Sequence, residues 1–182
     1  MKAHQEALRL LKEAELICDA ERVQREVARV AREITAELGG QFPVVLSVMG
    51  GAAIFTGQLL PQLAFPLEFG AIEVTRYNND IQGREITWRL PPRDNVRGRT
   101  VLVVDDILDE GITLAAIEKR ITEMGAARVL AVVFADKDLG REKPGKADFV
   151  GITVPNRYVF GFGMDAYGLW RNLPAIYALR ET

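Results

Sequence analysis

Two kinds of hydrophobic pattern alternate along the chain. Continuous apolar runs occur at residues 44–48, 101–104, 129–135 and 149–154, which is typical of strands buried on both faces of a parallel sheet. Between these runs, apolar residues recur every three or four positions, and this spacing predicts amphipathic helices. The alternation of strands and helices predicts an α/β fold with a mainly parallel central sheet flanked by helices.

Turn and cap residues bound the predicted helices. Asp19 is the expected N-cap of the second helix, and Gly39-Gly40 ends it. Proline at position 61 marks the end of the third helix, and Gly125 ends the fourth. The first predicted helix covers residues 5–17. Helical spacing is shown next by Val23, Val27, Val30, Ile34 and Leu38, then by Ile54, Leu59 and Leu60, and then by Leu114, Ile117 and Ile121. Weaker patterns predict further strands at 67–77, 85–90 and 158–160.

Composition narrows the class of protein. The 182 residues are 48% hydrophobic and 26% charged, which is ordinary for a globular protein, and we expect one domain spanning residues 1–182. The net charge of −2 argues against a protein whose main role is to coat nucleic acid or an anionic membrane. The single cysteine excludes an intrachain disulfide, and no signal peptide or membrane-spanning run is visible, so we expect a cytoplasmic protein.

The stretch VLVVDDILDEGIT, residues 101–113, combines a buried strand with three carboxylates and a helix start. Asp105 and Asp106 follow the apolar run, and Asp109, Gly111 and Thr113 come just before the helical period. In open α/β sheets, ligands bind at the carboxyl edge of the strands, and a helix N-terminus attracts anions. The residues alone predict an anion pocket beside a possible metal site, although a solvated turn is about equally compatible with them.

This stretch resembles the phosphoribosyl-pyrophosphate motif of the type I phosphoribosyltransferases. The resemblance implies their fold, with a small hood built from the terminal segments: a helical segment at 1–40 and a base-binding segment at 150–182. It implies that the turn binds the 5′-phosphate and that the paired acids hold the ribose hydroxyls, directly or through magnesium-bound water. The phosphate-turn residues are Asp109, Glu110, Gly111, Ile112 and Thr113, and the ribose-binding acids are Asp105 and Asp106. Glu110 departs from the family, which usually has Thr or Ser there, so its carboxylate should face away from the phosphate.

A second segment, Val48-Met49-Gly50-Gly51, lies between a predicted strand and a helix. An ordinary strand-to-helix turn would explain it, but in the family this position is the pyrophosphate-binding loop, often with a non-proline cis peptide bond. By position that bond would join Val48 and Met49. Many members carry Lys or Arg where Met49 stands, so the resemblance implies that the loop contacts pyrophosphate through the backbone of Met49, Gly50 and Gly51.

Further matches favour the branch of the family that acts on 6-oxopurines. Taken alone, Lys137 would be a surface residue and Tyr158 a core strand residue. The resemblance implies that Lys137 donates to the purine O6, that Tyr158 stacks on the ring and that the Val159 backbone reaches the base edge. It also implies that Asp165 binds magnesium beside the base and that Arg171 contacts pyrophosphate.

The polar stretch 77–85 follows Arg76, and a plain hairpin turn would explain it. The resemblance implies instead a catalytic loop that begins at Arg76-Tyr77, where the family often has Ser-Tyr, and that excludes water from the site.

The resemblance implies an enzyme of purine salvage that joins hypoxanthine or guanine to phosphoribosyl pyrophosphate, with Mg²⁺ as cofactor and Asp109 as the catalytic base. It implies small-molecule substrates, no nucleic-acid or membrane partner, and a homodimer or homotetramer. A xanthine-preferring enzyme and a nucleic-acid-binding regulator with the same fold stay open as alternatives. A receiver domain would need on the order of 100 residues from position 101 onward, and no GxxxxGK[ST] sequence of a P-loop kinase occurs.

Overall fold

The computed structural model describes residues 2–76 and 86–180, and its main feature is a six-stranded sheet. The strands lie in the order β4-β3-β2-β5-β6-β7, and all neighbours are parallel except β4, which pairs antiparallel with β3 at one edge. The six strands are β2 (Val44–Met49), β3 (Glu68–Arg76), β4 (Ile86–Leu90), β5 (Thr100–Leu108), β6 (Arg128–Lys137) and β7 (Phe149–Val154).

Helices cover both faces of this sheet, which explains the continuous apolar runs of the sequence. Leu102 and Val104 of β5 pack into one core cluster with helices α2 and α3, whereas Val101 and Val103 pack into a second cluster with α4. All four side chains are fully buried. The helices are α1 (Lys2–Glu13), α2 (Ala20–Leu38), α3 (Ala53–Leu59) and α4 (Ile112–Glu123), with single 3₁₀ turns at Leu60–Gln62 and Asp94–Val96.

A small antiparallel sheet joins the two ends of the chain, and we call it the hood sheet. Its order is β1-β9-β8, where β1 is Glu15–Cys18, β8 is Val159–Phe160 and β9 is Ile176–Ala178. Arg157 ties these strands together: its guanidinium lies 2.7 Å from the Glu15 carboxylate and donates to the Leu179 carbonyl at 2.9 Å. The expected hood from the N- and C-terminal segments is therefore present.

The helix predicted for residues 5–17 is wrong at its C-terminal end. Helix α1 stops at Glu13, and Glu15–Cys18 is a strand, so the segment 1–40 is not wholly helical. The strand forms because Glu15 and Leu16 pair with Ala178 and Tyr177 of β9, far away in sequence. A tertiary contact of this kind overrides a weak local period.

Other boundaries follow the predictions more closely. Asp19 caps α2, since its carboxylate accepts the Arg22 N–H at 2.7 Å. The central strand, however, does not stop before the acids. β5 pairs with β6 up to Leu108 opposite Asp136, so Asp105 and Asp106 lie within the strand and not in the turn after it.

Candidate active site

A cavity of about 420 Å³ opens at the carboxyl ends of β2 and β5, where an α/β sheet is expected to bind ligands. Two of its walls come from segments singled out in the sequence, the turn before α4 and the loop after β2. A third wall comes from the tail. The lining includes Met49, Gly51, Asp106, Gly111, Thr113 and Arg171.

The turn before α4 has the geometry of an anion site. Gly111 takes a left-handed backbone conformation, φ 77°, and α4 starts at the next residue, so the N-terminal end of the helix lies beside the cavity. A Cβ at Gly111 would stand 3.0 Å from the Gly145 carbonyl oxygen, which is a tight approach, and the left-handed backbone would be strained for any other residue. Asp109 and Thr113 line the same cavity; Glu110 and Ile112 are not among its lining residues in the described part of the chain.

Asp106 is packed between two glycines at the floor of the cavity. A Cβ on Gly51 would overlap the Asp106 carboxylate, and a Cβ on Gly163 would overlap the Gly51 carbonyl oxygen. Burial raises the pKa of the Asp106 carboxyl above its ordinary value; hydrogen bonding with Asp105 and Ile107 and the Arg171 guanidinium at 3.9 Å oppose this effect. Of the two paired acids, Asp106 is therefore the enclosed one. Asp105 lines the cavity as well.

The loop after β2 contains a non-proline cis peptide bond, but it joins Met49 and Gly50, so the predicted position between Val48 and Met49 is wrong by one residue. The reason is that β2 stays paired with β3 up to Met49 opposite Glu73, which keeps the preceding peptide in extended strand geometry. Met49, Gly50 and Gly51 all line the cavity, and 38% of Met49 is exposed.

The base-binding residues inferred from the resemblance share a second recess of about 210 Å³ that adjoins the first. Lys137 is the last residue of β6, and its ammonium lies 3.0 Å from the Asp109 carboxylate, although only 13% of the Lys137 side chain is exposed. Tyr158 and Val159 also line this recess. The structure therefore places a carboxylate, an ammonium and an aromatic ring around one small space.

Asp165 and Arg171 form an ion pair where the two spaces meet. The Asp165 carboxylate lies 2.5 Å from the guanidinium, which also donates to the Gly163 carbonyl at 2.6 Å. The other Asp165 oxygen accepts the Gly168 N–H at 2.7 Å, which closes a tight turn. The metal ligand and the pyrophosphate contact inferred separately from the sequence are thus direct neighbours.

Three residues of this region received no predicted role from the sequence. Gly163 packs against the loop after β2, and Tyr167 stacks on Tyr158 with ring centroids 5.6 Å apart. Lys143 lies in the loop after β6, and its ammonium contacts the ends of two strands. The glycine-rich tail was a signal for the first two, but nothing distinguishes Lys143 from the other charges of its loop.

Two predictions cannot be compared with the structure in full. Arg76 ends β3, but Tyr77 and the rest of the predicted catalytic loop, 77–85, lie outside the described residues. Among the residues that are described, no cluster of three or more His, Cys, Asp or Glu side chains could by itself hold a metal ion.

Within the same residues, no helix is both long and apolar enough to cross a membrane.

Comparison with known proteins agrees with this geometry. The model of the phosphoribosyl transferase domain family matches residues 13–167. The hypoxanthine-guanine phosphoribosyltransferase of Bacillus subtilis is 32% identical over 92% of this chain and 93% of its own length. The hypoxanthine-guanine-xanthine phosphoribosyltransferase of Tritrichomonas foetus is 33% identical, with 88% of each chain covered.

Longer proteins and solved structures match as well. The chain spans only 26% of the bifunctional TilS/HprT protein of Listeria innocua, to which it is 34% identical. The structure of a variant of Trypanosoma cruzi hypoxanthine phosphoribosyltransferase, complexed with the product IMP, superposes with a TM-score of 0.84 at 29% identity, covering 92% of both chains. This chain belongs to the phosphoribosyltransferase family, in the branch that contains the hypoxanthine-guanine enzymes.

Proposed function

We propose that this protein is a purine salvage enzyme that converts hypoxanthine or guanine and phosphoribosyl pyrophosphate into IMP or GMP and pyrophosphate. The observation that carries the proposal is the pairing of Asp109 and Lys137 at 3.0 Å, beside Tyr158 and next to the phosphate turn. A ribose held by the turn would present its C1′ atom toward this pair. The names of the relatives support the same substrates.

The first task of the site is to bind the sugar. The N–H groups at the start of α4 and the Thr113 hydroxyl hold the 5′-phosphate, since a helix N-terminus favours negative charge. Asp105 and Asp106 accept hydrogen bonds from the ribose hydroxyls. These contacts fix C1′ between the pyrophosphate loop and the base recess.

The second task is to stabilise the leaving group. As the bond from C1′ to pyrophosphate breaks, negative charge grows on the pyrophosphate oxygens, and the Gly50 and Gly51 amides together with Arg171 face that charge. The loop after β2 has no basic side chain, so the guanidinium of Arg171 is the nearby cation that the described residues provide on this wall. The catalytic loop inferred at Arg76 and Tyr77 would exclude water from the reacting carbon.

The third task is to select and deprotonate the base. The Lys137 ammonium has only donors, so it pairs with a 6-oxo oxygen and disfavours the 6-amino group of adenine. Asp109 accepts the proton from the purine N7 as N9 attacks C1′, and the Lys137 ammonium lies beside that carboxylate at 3.0 Å. The Tyr158 ring, 45% exposed, offers its face for stacking.

We propose Mg²⁺ as the cofactor. Asp165, Asp105 and Asp106 line the cavity without forming a three-residue metal cluster, and Mg²⁺ is commonly held by one or two carboxylates, substrate phosphates and water. Asp165 would bind the ion, and the paired acids would contact it through water. The bound ion would neutralise pyrophosphate charge.

We also propose a cytoplasmic homodimer or homotetramer with no nucleic-acid partner. Light scattering coupled to size exclusion tests the assembly. A xanthine-preferring enzyme is the second candidate, because the Tritrichomonas foetus relative carries xanthine in its name.

A panel of bases tests the function. Protein, Mg²⁺ and phosphoribosyl pyrophosphate are mixed with hypoxanthine, guanine, xanthine, adenine, uracil or orotate, and pyrophosphate release is followed. We expect release with hypoxanthine and guanine and little with adenine or the pyrimidines. Release with xanthine alone would favour the second candidate, and no release with any base would contradict the enzymatic assignment.

A further inference from the structure

Lys143 has an environment unlike that of an ordinary loop lysine. It lies in the segment between β6 and β7, yet only 9% of its side chain is exposed. Its ammonium donates to the Leu108 carbonyl at 2.8 Å, to the Asp136 carboxylate at 2.5 Å and to the Lys137 carbonyl at 2.5 Å. The three acceptors match the three donors of an ammonium group, so the buried charge is fully hydrogen-bonded.

The acceptors of Lys143 belong to the ends of two neighbouring strands. Leu108 is the last residue of β5, Lys137 is the last residue of β6, and Leu108 pairs with Asp136 across the two strands. Asp109 follows Leu108 directly, and Lys137 supplies both a carbonyl to Lys143 and an ammonium to Asp109. One buried cation thus holds the backbone on both sides of the Asp109–Lys137 pair.

The same loop also supports the turn before α4. A Cβ at Gly111 would meet the Lys143 Cβ at 3.0 Å, and a Cβ at Gly145 would meet the Gly111 carbonyl oxygen at 2.6 Å. The loop and the turn are therefore in close contact. Lys143 is therefore packed against the turn through its stem and against the strand ends through its ammonium.

We propose that Lys143 is a positioning residue of the base site, whose ammonium fixes the ends of β5 and β6 so that Asp109 and Lys137 face one purine at the correct separation. The inference rests on the base-binding roles of Asp109 and Lys137 proposed above. Lys143 does not line the recess that holds Tyr158, so it acts through its neighbours. Without the Lys143 ammonium, the Leu108 and Lys137 carbonyls and the Asp136 carboxylate would lose their shared donor, and the strand ends would shift. A displacement of about 1 Å can lower a rate on the order of 10²-fold.

Lys143→Met tests the inference, because Met keeps an unbranched side chain and removes the charge. We expect kcat/KM for hypoxanthine to fall by roughly 10–100-fold, while the Kd for phosphoribosyl pyrophosphate changes less than about threefold. Lys146→Met is the matched control, since Lys146 is an exposed cation in the same loop, and it should behave as wild type. Circular dichroism and the Tm show whether each variant is folded.

Asp136→Asn is a second variant in case Lys143→Met does not fold. It weakens one of the three contacts and keeps the side-chain size, so it should show the same selective loss for the base, but smaller. Equal losses for base and phosphoribosyl pyrophosphate, or no loss in a folded variant, would overturn the inference.

Lys137→Met separates this inference from the proposed function. It should impair use of the base far more than binding of phosphoribosyl pyrophosphate. If it does so and Lys143→Met does not, only the positioning role is refuted. If Lys137→Met has no selective effect, the base-site assignment fails and the inference fails with it.

Discussion

Asp106 carries a buried carboxyl whose ionisation lowers the stability of the folded protein. It is enclosed by Gly51 and Gly163, and burial raises its pKa above the ordinary value. As pH rises from the unfolded-state pKa to the raised folded-state pKa, the unfolded chain loses this proton first, so stability falls through that window. A neutral side chain of similar size at this position would give a more stable folded protein, yet the chain has a carboxyl there.

Asp106→Asn should therefore raise the Tm of the ligand-free protein at about pH 8 by a few degrees, since the amide avoids the desolvation of a charge. The gain should shrink as the pH falls toward the ordinary carboxyl pKa, because the raised pKa of Asp106 favours the protonated form in the folded protein. Thermal unfolding at several pH values, without Mg²⁺, measures both effects. A gain that does not depend on pH would show that the titration of Asp106 is not its source.

Asp109→Asn tests the general-base role proposed for Asp109. Turnover should drop by about 10²–10⁴-fold, the usual contribution of a general base, because the amide cannot accept the N7 proton. Phosphoribosyl pyrophosphate should still bind, since the backbone of the turn is unchanged. Single-turnover kinetics and calorimetric binding give the two quantities, and near-wild-type turnover would remove Asp109 from this role.

The sequence reveals residues of this site where chemistry and motif spacing coincide. Asp109, Lys137 and Tyr158 were found through the family pattern and share one recess. Lys143 was missed because its role depends on contacts with Leu108 and Asp136, and neither contact has a local signature. The cis bond was misplaced because strand pairing at Met49, and not composition, determines where the loop begins.

At the scale of elements, the sequence predicts long, buried segments correctly and misses short ones. The four continuous apolar runs became β2, β5, β6 and β7 because both of their faces are covered. The short strands β1 and β9 were missed, since each is stabilised by a partner at the opposite end of the chain. Their sequences lack the length to show a period of their own.

Arg29 links helix α2 to strand β7 of the main sheet, and this contact can be tested. Its guanidinium donates from α2 to the Val150 and Gly151 carbonyls of β7 at 2.8 and 2.7 Å. Arg29→Met should lower the free energy of unfolding by about 1.5–3 kcal/mol, the range for hydrogen bonds to a charged group. Urea denaturation measures the loss.

Arg25→Met is the matched control for that test. Arg25 lies on the same helix with 63% of its side chain exposed and pairs with Glu21 at 3.6 Å, so its removal should change stability by less than about 1 kcal/mol. Similar losses in the two variants would show that helix propensity or net charge, and not the contact with β7, accounts for the effect.

At the scale of the whole molecule, the site depends on how the tail is fixed to the main sheet. Phe162 is fully buried and packs against Phe134 of β6, with ring centroids 4.5 Å apart, and against Phe55 of α3 at 6.3 Å. This aromatic cluster anchors the segment that carries Tyr158, Asp165 and Arg171 over the strand ends. The recess between Lys137 and Tyr158 thus lies between the main sheet and a tail that Phe162 packs against that sheet.

Binding of the sugar substrate should stabilise this whole arrangement, because the proposed binding mode bridges the turn before α4, the paired acids and the tail. With Mg²⁺ and phosphoribosyl pyrophosphate at about 100 times its Kd, the gain should be about 2.7 kcal/mol. For a chain of this length that corresponds to a rise in Tm of roughly 5–10 °C. Chelation of Mg²⁺ with EDTA should remove most of the rise, and Asp165→Asn should reduce it. A rise of the same size with EDTA would contradict the role proposed for the metal, and the absence of any rise would contradict the sugar-phosphate site itself.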